Sequence, residues 1–277
     1  MLDESLIPLD AWISSGIDWL VYNFRDVFQV IKMPVEVTLT ALTAGLNALP
    51  FYIPIALIAF LAWKYSGKRL AVFSALSFLL IACLGLWEAT MTTLAMVLAS
   101  VLFCAVFGIP LGILAGRNRM FEAAIRPVLD AMQTTPAFVY LVPIVMLFSI
   151  GNTAGVLATI IFALPPIIRL TCLGIRQVHP ELVEAAQAFG ANNFQVLCQV
   201  QLPLALPTIL AGLNQTIMMA LSMVVIAALI GAGGLGSPVI LGLNTLDTGR
   251  AAVGGIAIVL MAVVLDRLTQ SFAKRQN

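Results

Sequence analysis

The sequence predicts an all-α polytopic membrane protein with about seven transmembrane helices. Three observations carry that prediction. Hydrophobic residues make up 61% of the 277 and charged residues only 10%, where soluble domains average about 45–50% and about 25%. Apolar runs of about 18 residues, enough to cross a ~30 Å hydrocarbon core, recur along the chain. Basic residues collect in alternate connections between those runs, as they do in cytoplasmic loops. The net charge of +1 makes no case for nucleic acid as a partner. Membrane lipid is the expected surrounding.

Residues 1–10 hold three acids and no base. A signal peptide begins basic and continues apolar, so none is expected, and the first span must act as its own insertion signal. Residues 1–47 are interrupted by Asp18, Arg25, Asp26 and Lys32 and do not read as a span. Ile13, Ile17, Leu20, Phe24, Val27 and Ile31 nevertheless recur at three or four residues, the mark of one apolar helix face. Trp12, Trp19 and Tyr22 suit a membrane interface. The expectation is a periplasmic helix lying on the membrane, with Pro34 opening a second short helix up to about Asn47. A helix packed on the spans themselves is the other reading.

Spans are expected at 48–63, 70–87, 91–115, 137–150, 154–175, 205–230 and 251–268. The first two, within 48–90, read as accessory helices, and 91–277 as the core. Between the third and fourth spans, Phe121, Ile125, Val128, Leu129 and Met132 share a helical face, which predicts an interfacial cytoplasmic helix within 117–135. The fourth span is short, is interrupted by Pro136 and Pro143, and ends at Gly151-Asn152. Broken backbone at membrane depth needs protein or a water-filled cavity to cover it, so this segment is expected inside, bordering a path. Pro165-Pro166 predicts a kink in the next span.

Seven spans put the termini on opposite sides. One frame gathers Lys64, Lys68, Arg69, Arg117, Arg119, Arg126, Arg176, Lys274 and Arg275 on the cytoplasmic side and leaves Arg25, Lys32 and Arg250 outside. The N-terminus is then periplasmic and the C-terminus cytoplasmic.

The same frame makes the polar stretch Arg176–Pro203, RQVHPELVEAAQAFGANNFQVLCQVQLP, a cytoplasmic loop. Its residues predict two short helices joined by a turn. Pro180 can open the first, since its missing N–H falls where helix donors are unpaired. Glu181 and Glu184 suit the positive end of the helix dipole. Gly190 stops the helix at little cost in a left-handed conformation. Asn192 or Asn193 can cap the second helix, and Pro203 is expected to prevent it from continuing unkinked. His179, the single histidine, fits a loop-to-helix junction and makes no metal site alone. Glu184 reads either as a solvated acid or as a partner contact. Ala185 and Ala186 are small enough to let another surface approach.

Several motifs carry little. Gly231-Ala232-Gly233-Gly234-Leu235-Gly236 satisfies G-x-G-x-x-G, but a dinucleotide site needs a preceding strand, and a membrane span precedes it here. A flexible turn outside the membrane is expected instead. No G-x-x-x-x-G-K-[ST] occurs, so no nucleotide-cradling loop and no cofactor is expected in this chain. Cys83, Cys104, Cys172 and Cys198 show no ligand spacing and read as small hydrophobes. Asn214, Gln215 and Thr216 lie within an apolar span, where polar groups bond between helices or line a path. Arg169 lies one or two turns from a span's cytoplasmic end, where it can snorkel. No acid or base reads as lying at mid-span, which counts against proton-coupled transport.

Glu184-Ala185-Ala186, then three residues, Gly190, then nine residues, Val200, one residue and Leu202-Pro203 resembles the EAA loop of permease subunits in bacterial ABC importers. Asp130–Phe148, Ile160–Thr171 and Asn214–Ala227 resemble the permeases of glycine betaine/proline/choline importers, and the likeness covers roughly 92–270. The resemblance implies a type I importer permease core that forms the path for quaternary ammonium or zwitterionic osmolytes. It implies a permease homodimer, two cytoplasmic ATPase subunits that bind ATP and Mg, and a periplasmic or tethered binding protein. It gives Glu184, Ala185, Ala186, Phe189, Gly190 and Ala191 to ATPase coupling. The chain would then be no enzyme itself. Phe138, Tyr140, Phe148, Asn214 and Gln215 are candidate path residues, with ordinary helix packing as the alternative for the aromatics. Two rivals remain: a secondary transporter without an ATPase, and a non-transporting membrane scaffold.

Overall fold

The computed structural model describes residues 9–274. The acidic first residues and Arg275, both used above, lie outside the described residues. The described chain is helical throughout, as composition predicts. Five helices are long and apolar enough to cross a membrane, or six if one bent pair counts as a span.

Helix α1 covers Leu9–Ala48 as two segments joined at a kink. This corrects two expectations. The helix continues through Pro34, whose carbonyl accepts a hydrogen bond from Thr38 Oγ1 at 2.7 Å. The irregular backbone falls instead at Phe24 (φ −118°, ψ 17°). Ser14–Ala48 is also long and apolar enough to cross. The charges that argued against a span crowd its N-terminal half, and Lys32 is paired with Glu36 at 3.6 Å. Val35 and Leu39 are buried, and α1 rests on α4 (Trp87–Arg117), α6 (Leu141–Phe148) and α7 (Asn152–Arg176). Its C-terminal half therefore packs on other helices.

The expected spans at 48–63 and 70–87 are shorter than a crossing. They form a hairpin of α2 (Tyr52–Ser66, 15 residues) and α3 (Lys68–Cys83, 16 residues). Sixteen residues rise about 24 Å, short of a ~30 Å core. Gly67 (φ +103°) makes the turn and Gly85 (φ +73°) follows α3, so Trp87 opens α4 rather than closing α3.

Helices α4 and α7 form the centre. Gly108, Gly112 and Gly116 on α4 lie against Ile167, Thr171 and Ile175 on α7. Both rows advance by four residues, so the two helices run parallel. Small residues at this spacing let backbones approach closely where lipid offers no hydrophobic drive. Helix α10 (Leu202–Ile226) runs antiparallel to α7, with Gly174 facing Ala205 and Thr208, and Gly212 facing Leu170 and Ile167. Helix α7 continues across Pro165-Pro166 as one element. Helix α12 (Thr248–Lys274) packs on α10, α2 and α3.

Helix α5 (Arg119–Thr134) is strongly amphipathic, as its apolar face predicts. It is bent by 106° from the 3₁₀ turn Ala137–Tyr140 and α6 that follow. The Gly-rich segment after α10 is not the loose turn expected. Ala232 and Leu235 are buried. The Gly233 N–H donates to Asn152 Oδ1 at 2.6 Å and the Leu235 N–H to Thr93 Oγ1 at 2.8 Å. Helix α11 (Gly236–Asn244), which the sequence did not predict, then folds back on α12.

Candidate functional site

The Arg176–Pro203 stretch folds as two short helices at the C-terminal end of α7. Helix α8 spans Pro180–Ala188 with Pro180 in its first turn and His179 preceding it. Gly190 takes φ +85°, and its N–H and that of Ala191 close the helix on Gln187 and Ala186 carbonyls at 2.9 and 3.0 Å. Asn192 caps α9 (Asn193–Val196): its side chain accepts from the Phe194 and Gln195 N–H groups, and Gln195 Oε1 accepts from the Asn192 N–H. This reciprocal pair satisfies donors otherwise left open at a helix start.

Pro203 does not end the second helix. Leu197–Gln201 adopts a π turn between α9 and α10. A proline ring clashes with the carbonyl four residues before it, and a widened turn moves that carbonyl away.

Helix α8 has no buried residue. Glu184, Ala185 and Gly190 are exposed, and Ala186 and Ala191 are half-buried. Phe189 is 94% exposed and Phe194 71%. Both rings project into solvent from the short helices that follow α7.

Where α7 meets this elbow, Arg176 gathers three helices. It pairs with Glu122 on α5. Its Nη2 donates to the Ala115 carbonyl at 3.1 Å and its Nε to the Gly116 carbonyl at 3.3 Å. These carbonyls belong to the last turn of α4, where no intrahelical donor remains. Glu122 also pairs with Arg126 at 2.8 Å. Partial desolvation pushes the Glu122 carboxyl up, but hydrogen bonds and charge from Arg126 and Arg176 outweigh it and hold it below the usual carboxylate range. Two turns along α5, Asp130 pairs with Arg169. Arg169 is therefore partnered rather than merely reaching for water. A cavity of about 590 Å³ lies between the two pairs, with Ile125, Leu129, Ile168 and Leu173 among its apolar lining.

The candidate path residues do not converge on one another. Phe138 is exposed. Tyr140 donates to the Met132 carbonyl at 2.5 Å and sets its ring against Phe162. Phe148 packs edge-on to Phe28. Asn214 donates to Asp266 at 3.3 Å and accepts from Thr269, both on α12. Gln215 is exposed, and Thr216 is buried. Asn214 thus bonds between helices, and Asp266, also held by Gln270 at 2.8 Å, is its partner. Among the described residues no cluster of three or more His, Cys, Asp or Glu is placed to hold a metal.

The family described as binding-protein-dependent transport system inner membrane component matches residues 108–277. The glycine betaine/proline betaine transport system permease protein ProW of Escherichia coli (strain K12) is 55% identical over 271 residues, 98% of this chain and 77% of that protein. The glycine betaine transport system permease protein OpuAB of Bacillus subtilis (strain 168) is 47% identical over 271 residues, 98% of this chain and 96% of that protein. In fold, the chain is similar to a solved structure of the MetNI methionine ABC transporter in an inward-facing conformation. The TM-score is 0.61 at 23% identity, over 67% of this chain and 93% of that one.

Proposed function

Since the chain belongs to the family of inner-membrane permease components of binding-protein-dependent ABC importers, we propose that it forms the path for glycine betaine and related zwitterionic or quaternary ammonium osmolytes. The relatives' substrates support that choice. The observation that carries the mechanism is the exposed elbow of α8 and Phe189 at the C-terminal end of α7.

In this reading, Glu184, Ala185, Ala186, Phe189, Gly190 and Ala191 form the contact with a cytoplasmic ATPase. ATP and Mg belong to that partner, and the chain carries out no covalent chemistry. Two copies of the permease enclose the path, two ATPase subunits grip the elbows, and a periplasmic or tethered binding protein delivers solute at the opposite end. That end holds the packed Gly231–Gly236 turn, which meets Asn152 at the start of α7. The C-terminus is then cytoplasmic. ATP-driven closure draws the elbows together and turns the path outward, and hydrolysis resets it. Phe138 is the candidate aromatic surface along the path, since its ring is exposed. Cation–π contact gives such a ring some affinity for a quaternary ammonium.

Co-purification and reconstituted uptake test this. The expected result is a stoichiometric nucleotide-binding subunit bound to the permease, with ATP-dependent uptake of radiolabelled glycine betaine. Uptake that survives ATP depletion under a held ion gradient would overturn it.

A further inference from the structure

The ion pairs on α5 have no role in the contact just described, yet they join it to the bent span. Glu122, Arg126 and Asp130 form a charged row at four-residue spacing along α5. The first and last of them meet Arg176 and Arg169 on α7. Because Glu122 faces the later residue and Asp130 the earlier one, α5 lies antiparallel against the last two turns of α7. Helix α5 is therefore held at both ends. Its far end leads through Thr135-Pro136 into the 106° bend and α6.

Arg176 sits at the junction itself. It is the last residue of α7, and α8 begins four residues later. Its guanidinium fixes α5 through Glu122 and α4 through the Ala115 and Gly116 carbonyls. The close approach at Gly116, where a Cβ would lie 2.9 Å from Ile175 Cβ, brings those carbonyls within reach. Arginine suits this place because its planar fork serves several acceptors at once. A lysine presents a single point charge.

We propose that Arg176 and Arg169 are positioning residues for transport: with Glu122 and Asp130 they clasp α5 to α7, so that displacement of the α8 elbow moves the bent α5–α6 segment. The proposal rests on the reading of α8 as the ATPase contact. A rigid element gripped at two points follows the helix that grips it. One gripped at a single point can pivot, and the lever is lost. The Asp130–Arg169 pair is open to solvent, where ion pairs add little to stability, so the clasp is to be read in coupling rather than in folding.

The test is a charge-swap cycle in the assembled importer reconstituted in vesicles, reading uptake per ATP hydrolysed. Arg169→Asp and Asp130→Arg singly should lower that ratio by about two- to thirtyfold, the range of single-site effects on coupling. ATPase retention and basal hydrolysis should stay within about twofold. The double variant should recover most of the ratio, because the pair is restored in reverse. If either single variant fails to assemble, the near-isosteric Glu122→Gln/Asp130→Asn double variant provides the same reading with less disturbance, and the ratio should again fall. An unchanged ratio in the assembled variants, or a double swap no better than its parents, would overturn the clasp while leaving the α8 contact standing. A wild-type permease that retains no ATPase would overturn both.

Discussion

Gly112 on α4 lies so close to α7 that a Cβ added to it would sit 2.5 Å from Thr171 Cβ and 2.8 Å from the Ile168 carbonyl oxygen. One of these obstacles is backbone, so no rotamer change relieves it. Gly112→Leu should therefore push the central helix pair apart at a cost of about 1–3 kcal/mol. Thermal unfolding of the detergent-purified protein should show a lower midpoint and lower yield. Gly255→Ala, where a Cβ meets nothing within 4 Å, is the control and should leave the midpoint unchanged or slightly raised.

Gly190 is required for a different reason from Gly112. Its surroundings are open, but its φ is +85°. Gly190→Val meets no steric neighbour and still costs on the order of 1–2 kcal/mol in backbone strain. Asparagine tolerates this region better. Gly190→Val should lose ATP-driven uptake while reaching the membrane normally, and Gly190→Asn should retain most of it. Equal activity of the two variants would count against a left-handed turn between α8 and α9.

This elbow was the most legible part of the chain because its determinants are local. Pro180, Gly190 and Asn192 each act within a few residues, so their signals survive without tertiary context. The misreadings share the opposite cause. The continuity of α1 through Pro34 and the packing of the Gly231–Gly236 turn on Asn152 and Thr93 both depend on neighbours distant in sequence. Helices α2 and α3 each fall short of a crossing because Gly67 divides them and Gly85 follows α3, a signal present but outweighed by apolar content. Arg169 was noticed without its partner. The row of Glu122, Arg126 and Asp130, beside Ile125 and Leu129 on α5, would have suggested where that partner lay.

Phe189 offers a direct probe of the elbow. At 94% exposed it stabilises little in the isolated permease. Phe189→Ala should leave the unfolding midpoint within about 0.5 kcal/mol of wild type, as surface substitutions do. Buried aromatic anchors of interfaces commonly cost about 2 kcal/mol or more when truncated, so ATPase retention in pull-down should fall by roughly thirtyfold or more in apparent affinity. Glu184→Lys should weaken retention as well without removing the protein from the membrane. Unchanged pull-down and uptake in both variants would assign these residues to a solvated face.

Two buried threonines predict opposite responses to the same substitution. Thr93 Oγ1 accepts the Leu235 N–H at 2.8 Å and donates to the Ala89 carbonyl at 3.0 Å. Thr93→Val keeps the shape but strands a buried N–H, which costs about 1–3 kcal/mol. Thr216 is equally buried, and its hydroxyl finds no hydrogen-bond partner among the described residues. Thr216→Val removes an unsatisfied polar group at no loss of bonding, so it should be neutral or stabilising. Unfolding midpoints of the two variants, measured in one detergent, check the contrast. A destabilised Thr216→Val would show that its hydroxyl is satisfied inside the chain, by a carbonyl of its own helix or a buried water.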